Sequence, residues 1–255
     1  MNQFKLLGTV VLMGWVASSC ASLVDKTDKE ALQNVKSMAI VGFTFDQQEA
    51  NSEKTVTDNI LGNNDVGMMG KLHIDLKESK VSNYAYELAT KTLQSKLGFK
   101  VLAQAKTAAN PEVAKLFARK DATFQSGVDP LKRQSYRYEA KGIPQAYYVP
   151  TGDKETLNTL AKSLGVDAIV VVRSNIRLAQ SSVMGIGVGS ISSTNDVSAL
   201  VYDPRRQDFI VIANVSGDEV STKSSAFMGF ADPEEMNVQA VESYNSAMTK
   251  LVAKF

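Results

Sequence analysis

The sequence predicts an α/β domain: a mixed sheet of about five strands with crossover helices packed against it. Three observations carry that prediction. First, a module of helix, glycine and strand occurs twice. Tyr86, Ala89, Leu93 and Leu97 share one helical face ahead of Gly98 and Phe99–Leu102, and Leu157, Leu160, Ala161 and Leu164 do so ahead of Gly165 and Ala168–Val172. Second, Met38, Ala39, Ile40, Val41 and Phe43 form a nearly continuous apolar run, which suits a strand buried on both faces. Third, Val197–Tyr202, the turn Asp203–Gln207 and Phe209–Val215 read as an antiparallel hairpin, and a helix closes the chain.

The elements follow in order. Lys5 supplies a positive start, Leu6–Val16 an apolar run and Ala17-Ser18-Ser19 small residues ahead of Cys20, the single cysteine of the 255-residue chain. This is the grammar of a secretory signal over residues 1–19, and the run is too short for the roughly 20 apolar residues that a membrane span requires. Residues 20–36 are expected to be a short tether, mobile or helical, charged at Asp25, Lys26, Asp28, Lys29 and Glu30. Residues 37–255 are then expected to form one α/β domain.

Two stretches interrupt that domain. Residues 46–80 have few apolar positions and include Asn63-Asn64, a long polar segment for a compact fold. Residues 103–150 read as an insertion: Asn110-Pro111-Glu112 opens a short helix through Val113, Leu116 and Phe117, after which Lys120, Lys132, Arg133, Arg137 and Lys141 mingle with Tyr136, Tyr138, Tyr147 and Tyr148. Tyrosine and arginine are enriched at interfaces because they pair apolar area with polar anchors. Arg133, Tyr136, Arg137, Tyr138, Tyr147 and Tyr148 are therefore the expected partner-binding residues. The alternative reading of the same residues, tyrosines packed back onto the domain, stands beside it. Ala226–Phe230 is read as core rather than as an apolar lip. Asp232-Pro233-Glu234-Glu235 opens the last helix with a cap, a proline at its first position and carboxylates facing the dipole, and Val241, Tyr244, Met248, Leu251, Val252 and Phe255 form its apolar face.

Two resemblances add to this reading. Ala17-Ser18-Ser19-Cys20 resembles the lipobox of bacterial lipoproteins, although alanine at its first position is less usual than leucine. The resemblance implies that Cys20 is acylated and becomes the mature amino terminus, and that Ala21 and Ser22, with no aspartate after the cysteine, direct the protein to the outer membrane, facing the periplasm. Leu164-Gly165-Val166-Asp167-Ala168-Ile169-Val170-Val171-Val172, with the hairpin ending near Gly217, resembles the amino-terminal domain of TolB-type periplasmic proteins, a plan of anticodon-binding-like type shared by CsgG-like envelope lipoproteins. That likeness implies scaffold, with Asp167 bonding nearby backbone amides rather than doing chemistry.

Chemistry is sparse in this chain. Lys and Arg number 28 against 27 Asp and Glu, so nucleic acid is not an expected partner. His73 is the only histidine, and with Cys20 acylated no thiolate remains, so neither a metal nor a cofactor is expected and His73 reads as exposed or locally bonded. Gly185-Ile186-Gly187-Val188-Gly189-Ser190 lacks the third glycine and the following helix of a dinucleotide loop and reads as a hairpin or bulge. Catalysis is not expected. The expected role is a binding or adaptor module in a cell-envelope complex, with an envelope protein or a peptidoglycan glycan as partner and the membrane engaged through the lipid on Cys20. The alternative, implied by the CsgG likeness, is a homo-oligomeric subunit of an outer-membrane secretion channel.

Overall fold

The computed structural model describes residues 25–48, 51–52, 81–119, 135–182, 188–221, 226–227 and 233–255, with side chains described for 25–46, 82–119, 139–177, 192–220 and 238–255. The signal, Cys20, His73, Arg133, Gly185–Gly187 and Met228–Phe230 lie outside the described residues.

The element order is β1 (Lys26–Thr27), α1 (Lys29–Gln33), β2 (Ser37–Gln48), β3 (Asn51–Ser52), α2 (Val81–Leu97), β4 (Lys100–Val101), α3 (Gln104–Ala108), α4 (Pro111–Leu116), β5 (Ser135–Tyr138), α5 (Lys154–Leu164), β6 (Ala168–Ser182), β7 (Val188–Asp203), β8 (Asp208–Ser216), β9 (Val220–Ser221), β10 (Ala226–Phe227) and α6 (Pro233–Ala253). The strands join in one mixed sheet of order β1-β8-β7-β6-β2-β4, to which β3, β5, β9 and β10 attach. β2 runs parallel to both β4 and β6, as the two helix-glycine-strand modules predict, while β6-β7-β8 form an antiparallel meander. The sheet thus exceeds the expected five or so strands, because β1, β3, β9 and β10 are two residues each, too short to carry a hydrophobic period, and only pairing reveals them.

Alternation along these strands creates two cores, one on each face of the sheet. Met38, Ile40, Phe43, Phe45, Val170, Val172, Val197 and Ala199 point to the face covered by α2 and α6, where they meet Tyr86, Leu93, Tyr244 and Leu251. Ala39, Val41, Ile169, Val171 and Tyr202 point to the other face and meet Val113 of α4, Val149, and Leu157 and Leu160 of α5. Residues 38–41 and 43 of β2 are fully buried, so the expectation of a strand covered on both sides holds. Burial of Met38, Ile40, Val41 and Phe43 contributes about 1.5–3 kcal/mol each relative to exposure.

Local signals set the helix ends. Asp153 caps α5 through the Thr156 amide at 3.0 Å, and Gly165 closes it at φ 65°, a conformation that L side chains resist. Asn110 caps α4 through the Glu112 amide at 2.9 Å, with Pro111 at the first turn. Asp167, two residues after Gly165, accepts from the amides of Lys36 at 3.0 Å and Ser37 at 2.9 Å, tying the start of β6 to the start of β2. This is the backbone-bonding role the sequence assigned it, with partners 130 residues away in the chain.

Three expectations need amendment. The tether is part of the fold from Asp25 onward: β1 pairs with β8, Lys26 opposite Ile212 and Thr27 opposite Val211, and α1 buries Ala31 and Leu32. The insertion is not an excursion at either end, since Val113, Leu116, Ala140, Ile143, Ala146 and Val149 are core residues. The strand read over Phe99–Leu102 shortens to Lys100–Val101, which pairs with Ser37 and Met38 of β2 before the chain turns into α3 at Gln104.

Candidate functional site

The helices that cover the second face stop short. α4, α5 and the 3-10 turn Ala146–Tyr148 cover Ile169 and Val171 of β6, and beyond Val171 the same face changes from apolar to polar. Arg173, Asn175 and Arg177 follow on alternate positions of β6, beside Asp196 and Ser198 of β7 and Asn214 and Ser216 of β8. With Val197 and Val215 they line a cleft of about 550 Å³. Among the described residues no helix covers this stretch, and the strands carry a reason: alternate residues on this face offer nothing apolar to bury.

A cluster at the boundary organises one wall. Asp46 of β2 is 3% exposed, and its Oδ2 accepts from the Tyr147 hydroxyl and from Arg173 Nε at 3.2 Å. The Arg173 guanidinium lies 4.5 Å from the centre of the Tyr147 ring. One carboxylate thus fixes both an aromatic ring and a cation, and the pairing reduces the cost of burying Asp46. The opposite wall has its own pair, with Arg177 Nε 2.6 Å from Asp196 Oδ2 and the Ser216 hydroxyl donating to Asp196 Oδ1 at 2.6 Å. Asn175 sits between the walls with a shielded side-chain oxygen that makes no hydrogen bond among the described residues.

Two arginines and two aspartates leave the cleft without net charge, yet rich in oriented donors and acceptors. Such a surface suits a polar, hydrogen-bonding ligand with an apolar or aromatic-stacking edge. Among the described residues no group of three or more histidines, cysteines or carboxylates is arranged to hold a metal ion, and no helix is long and apolar enough to cross a membrane.

The sequence-predicted residues divide. Tyr147 stands at the rim of the cleft, half-buried against Arg173. Tyr148, next to it, is 2% exposed and packs into the domain, so it offers no area to a partner; the 3-10 turn points neighbouring side chains in different directions. Tyr136, Arg137 and Tyr138 lie on β5, which pairs with β2 opposite Gln47, Asp46 and Phe45 and so extends the sheet beside Tyr147. The residues that line the cleft were missed. The signal available was the switch from Val171-Val172 to Arg173-Ser174-Asn175 within one strand, where alternation persists but one face turns polar.

No family model matches this chain, and no curated protein matches it. Among solved structures, the chain is similar to the lipoprotein GNA1162 from Neisseria meningitidis, with 11% identity over 86% of this chain and 99% of that one at a TM-score of 0.37. It is also similar to the LpoB C-terminal domain from Salmonella enterica, with 6% identity over 74% of this chain and 90% of that one at a TM-score of 0.28.

Proposed function

We propose that this protein is a lipid-anchored binding module of the cell envelope, held in the outer membrane through Cys20 and facing the periplasm, and that it captures an envelope partner rather than catalysing a reaction. The observation that carries the binding role is the polar stretch of the sheet face, where the Asp46-Arg173-Tyr147 cluster holds a cation and an aromatic ring in fixed register beside a polar cleft. The anchor rests on the order Lys5, apolar run, small residues, Cys20. An envelope protein or a peptidoglycan glycan fits the cleft chemistry, both being rich in hydrogen-bonding groups. The test is site-specific photo-crosslinking in intact cells. A photoreactive residue at Ser198, in the cleft, gives a discrete adduct with an envelope component, and one at the exposed Glu87, on α2 over the opposite face of the sheet, does not. Absence of any Ser198 adduct, or equal adducts from both positions, rejects this reading.

The channel alternative draws support from one observation. β6 and β7 run 15 and 16 residues, longer than the roughly 9–11 a membrane-spanning strand needs. Their chemistry opposes it, since Ser190-Ile191-Ser192-Ser193-Thr194-Asn195-Asp196 is largely polar on both alternating faces. Light scattering on the detergent-extracted protein separates the two: a closed ring of many subunits favours the channel, a monomer or dimer the module.

A further inference from the structure

The leash between the acylation site and the folded body is short, and the place where it leaves the body is fixed. Asp25 is the first described residue, and its Oδ1 accepts from the Asn214 amide at 3.0 Å while its Oδ2 pairs with Lys254. Lys254 Nζ also donates to the Asn214 carbonyl at 2.7 Å. Behind this clasp, Lys26 pairs with Asp208 at 2.6 Å, the Asp28 amide donates to the Ile210 carbonyl at 2.8 Å, and Asp28 pairs with Arg206 at 2.7 Å. The amino-terminal segment is thus bound along the outer edge of β8 and points, toward its start, at the Asn214–Ser216 end of that strand. Only five chain steps separate Cys20 from Asp25, and at full extension they reach about 18 Å.

Resting on the acylation of Cys20 proposed above, we infer that the β1-β8 edge, with the carboxy-terminal turn of α6, is the membrane-facing surface of the domain, and that its partner is the lipid headgroup layer. The edge carries Lys26, Arg206 and Lys254 against Asp25, Asp28 and Asp208, three charges of each sign, so proximity comes from the leash and not from attraction to anionic lipid. The opposite edge, at β4, lies five strand spacings away, about 24 Å. Asn214 belongs both to the clasp and to the cleft, so the β8 wall of the cleft stands on the membrane side.

The experiment uses the full-length acylated protein in vesicles of phosphatidylethanolamine and phosphatidylglycerol. Acylation consumes the single native cysteine, so a dye goes onto Ala253→Cys, in the last turn of α6, or Lys100→Cys, on β4; both positions are exposed. Energy transfer to a headgroup-labelled lipid is expected to be about twofold stronger from residue 253, for a separation of about 24 Å across the sheet. A flexible Gly-Ser insertion of about 20 residues between Val24 and Asp25 removes that difference, and doubling the phosphatidylglycerol leaves it unchanged. Equal transfer from both positions in protein whose acylation is verified by mass spectrometry overturns the inference alone. An unmodified Cys20 in the membrane-extracted protein overturns the anchoring it rests on.

Discussion

Single polar atoms separate structural roles that look alike in the sequence. Tyr86 and Tyr244 are both about 1% exposed, and burial pushes both hydroxyls above the ordinary tyrosine range. Tyr86 donates to the Ile40 carbonyl at 3.3 Å, whereas the Tyr244 hydroxyl makes no hydrogen bond among the described residues. Tyr86→Phe is therefore expected to cost about 1 kcal/mol and Tyr244→Phe to be neutral or to stabilise by up to about 1 kcal/mol, as read from urea unfolding. Asp167 supplies a pH dependence. Burial opposes its ionisation, but the Lys36 amide and the amide and hydroxyl of Ser37 together hold its carboxyl below the unfolded value of 3.8. A depressed carboxyl contributes stability that is complete above the unfolded value and is lost as pH falls through the lower folded one. Asp167→Asn should lower stability by about 1–3 kcal/mol at pH 7, with the penalty shrinking as pH falls from the unfolded value through the lower folded one, by denaturant titration at each pH.

Close approach between elements gives a prediction of its own. β2 is irregular between Ile40 and Gly42, and a Cβ on Gly42 would lie 2.5 Å from Val149 Cγ2 and 3.1 Å from the Ala146 backbone. Gly42→Ala must push the 3-10 turn off the sheet, at a cost of about 1–3 kcal/mol. Because that turn carries Tyr147, the substitution should also loosen the ring over Arg173; unchanged capture in the crosslinking assay together with unchanged stability would contradict this coupling. At the same scale the helices were legible and the strand ends were not. Gly98 and Gly165 mark helix termini from sequence because a left-handed residue is a local requirement, and α5 and α2 end where those glycines stand. β6 was read only to Val172 because hydrophobicity ends there, yet pairing with β7 continues to Ser182. Backbone hydrogen bonding does not depend on the side chains being apolar.

Across the whole molecule, the cleft joins residues 173–177, 196–198 and 214–216, and the clasp joins residue 25 to residues 214 and 254. Neither is visible in local sequence, since the cleft depends on register across three strands and the clasp on the pairing of β1 with β8 beside the end of α6. Arg173→Glu places a second carboxylate beside Asp46, which is 3% exposed, and is expected to abolish partner capture and to cost about 3–5 kcal/mol of stability, so Arg177→Gln at the exposed wall is the cleaner variant. It should reduce Ser198 crosslinking with the unfolding midpoint nearly unchanged; full crosslinking would remove the arginine wall from the site.

By itself the sequence determined the α/β class, the two helix-glycine-strand modules, the doubly buried β2, the terminal helix, the backbone role of Asp167 and the expectation of an acylated Cys20. These follow from periodicity, capping and short motifs, which act over a few residues. Only the tertiary structure decided that Tyr148 is buried while Tyr147 meets Arg173, that the segment after the leash is clamped to β8, and that polar residues of β6, β7 and β8 come together in a cleft on one sheet face. Those outcomes depend on which strands become neighbours and in what register, and a one-residue shift would send every side chain to the other face.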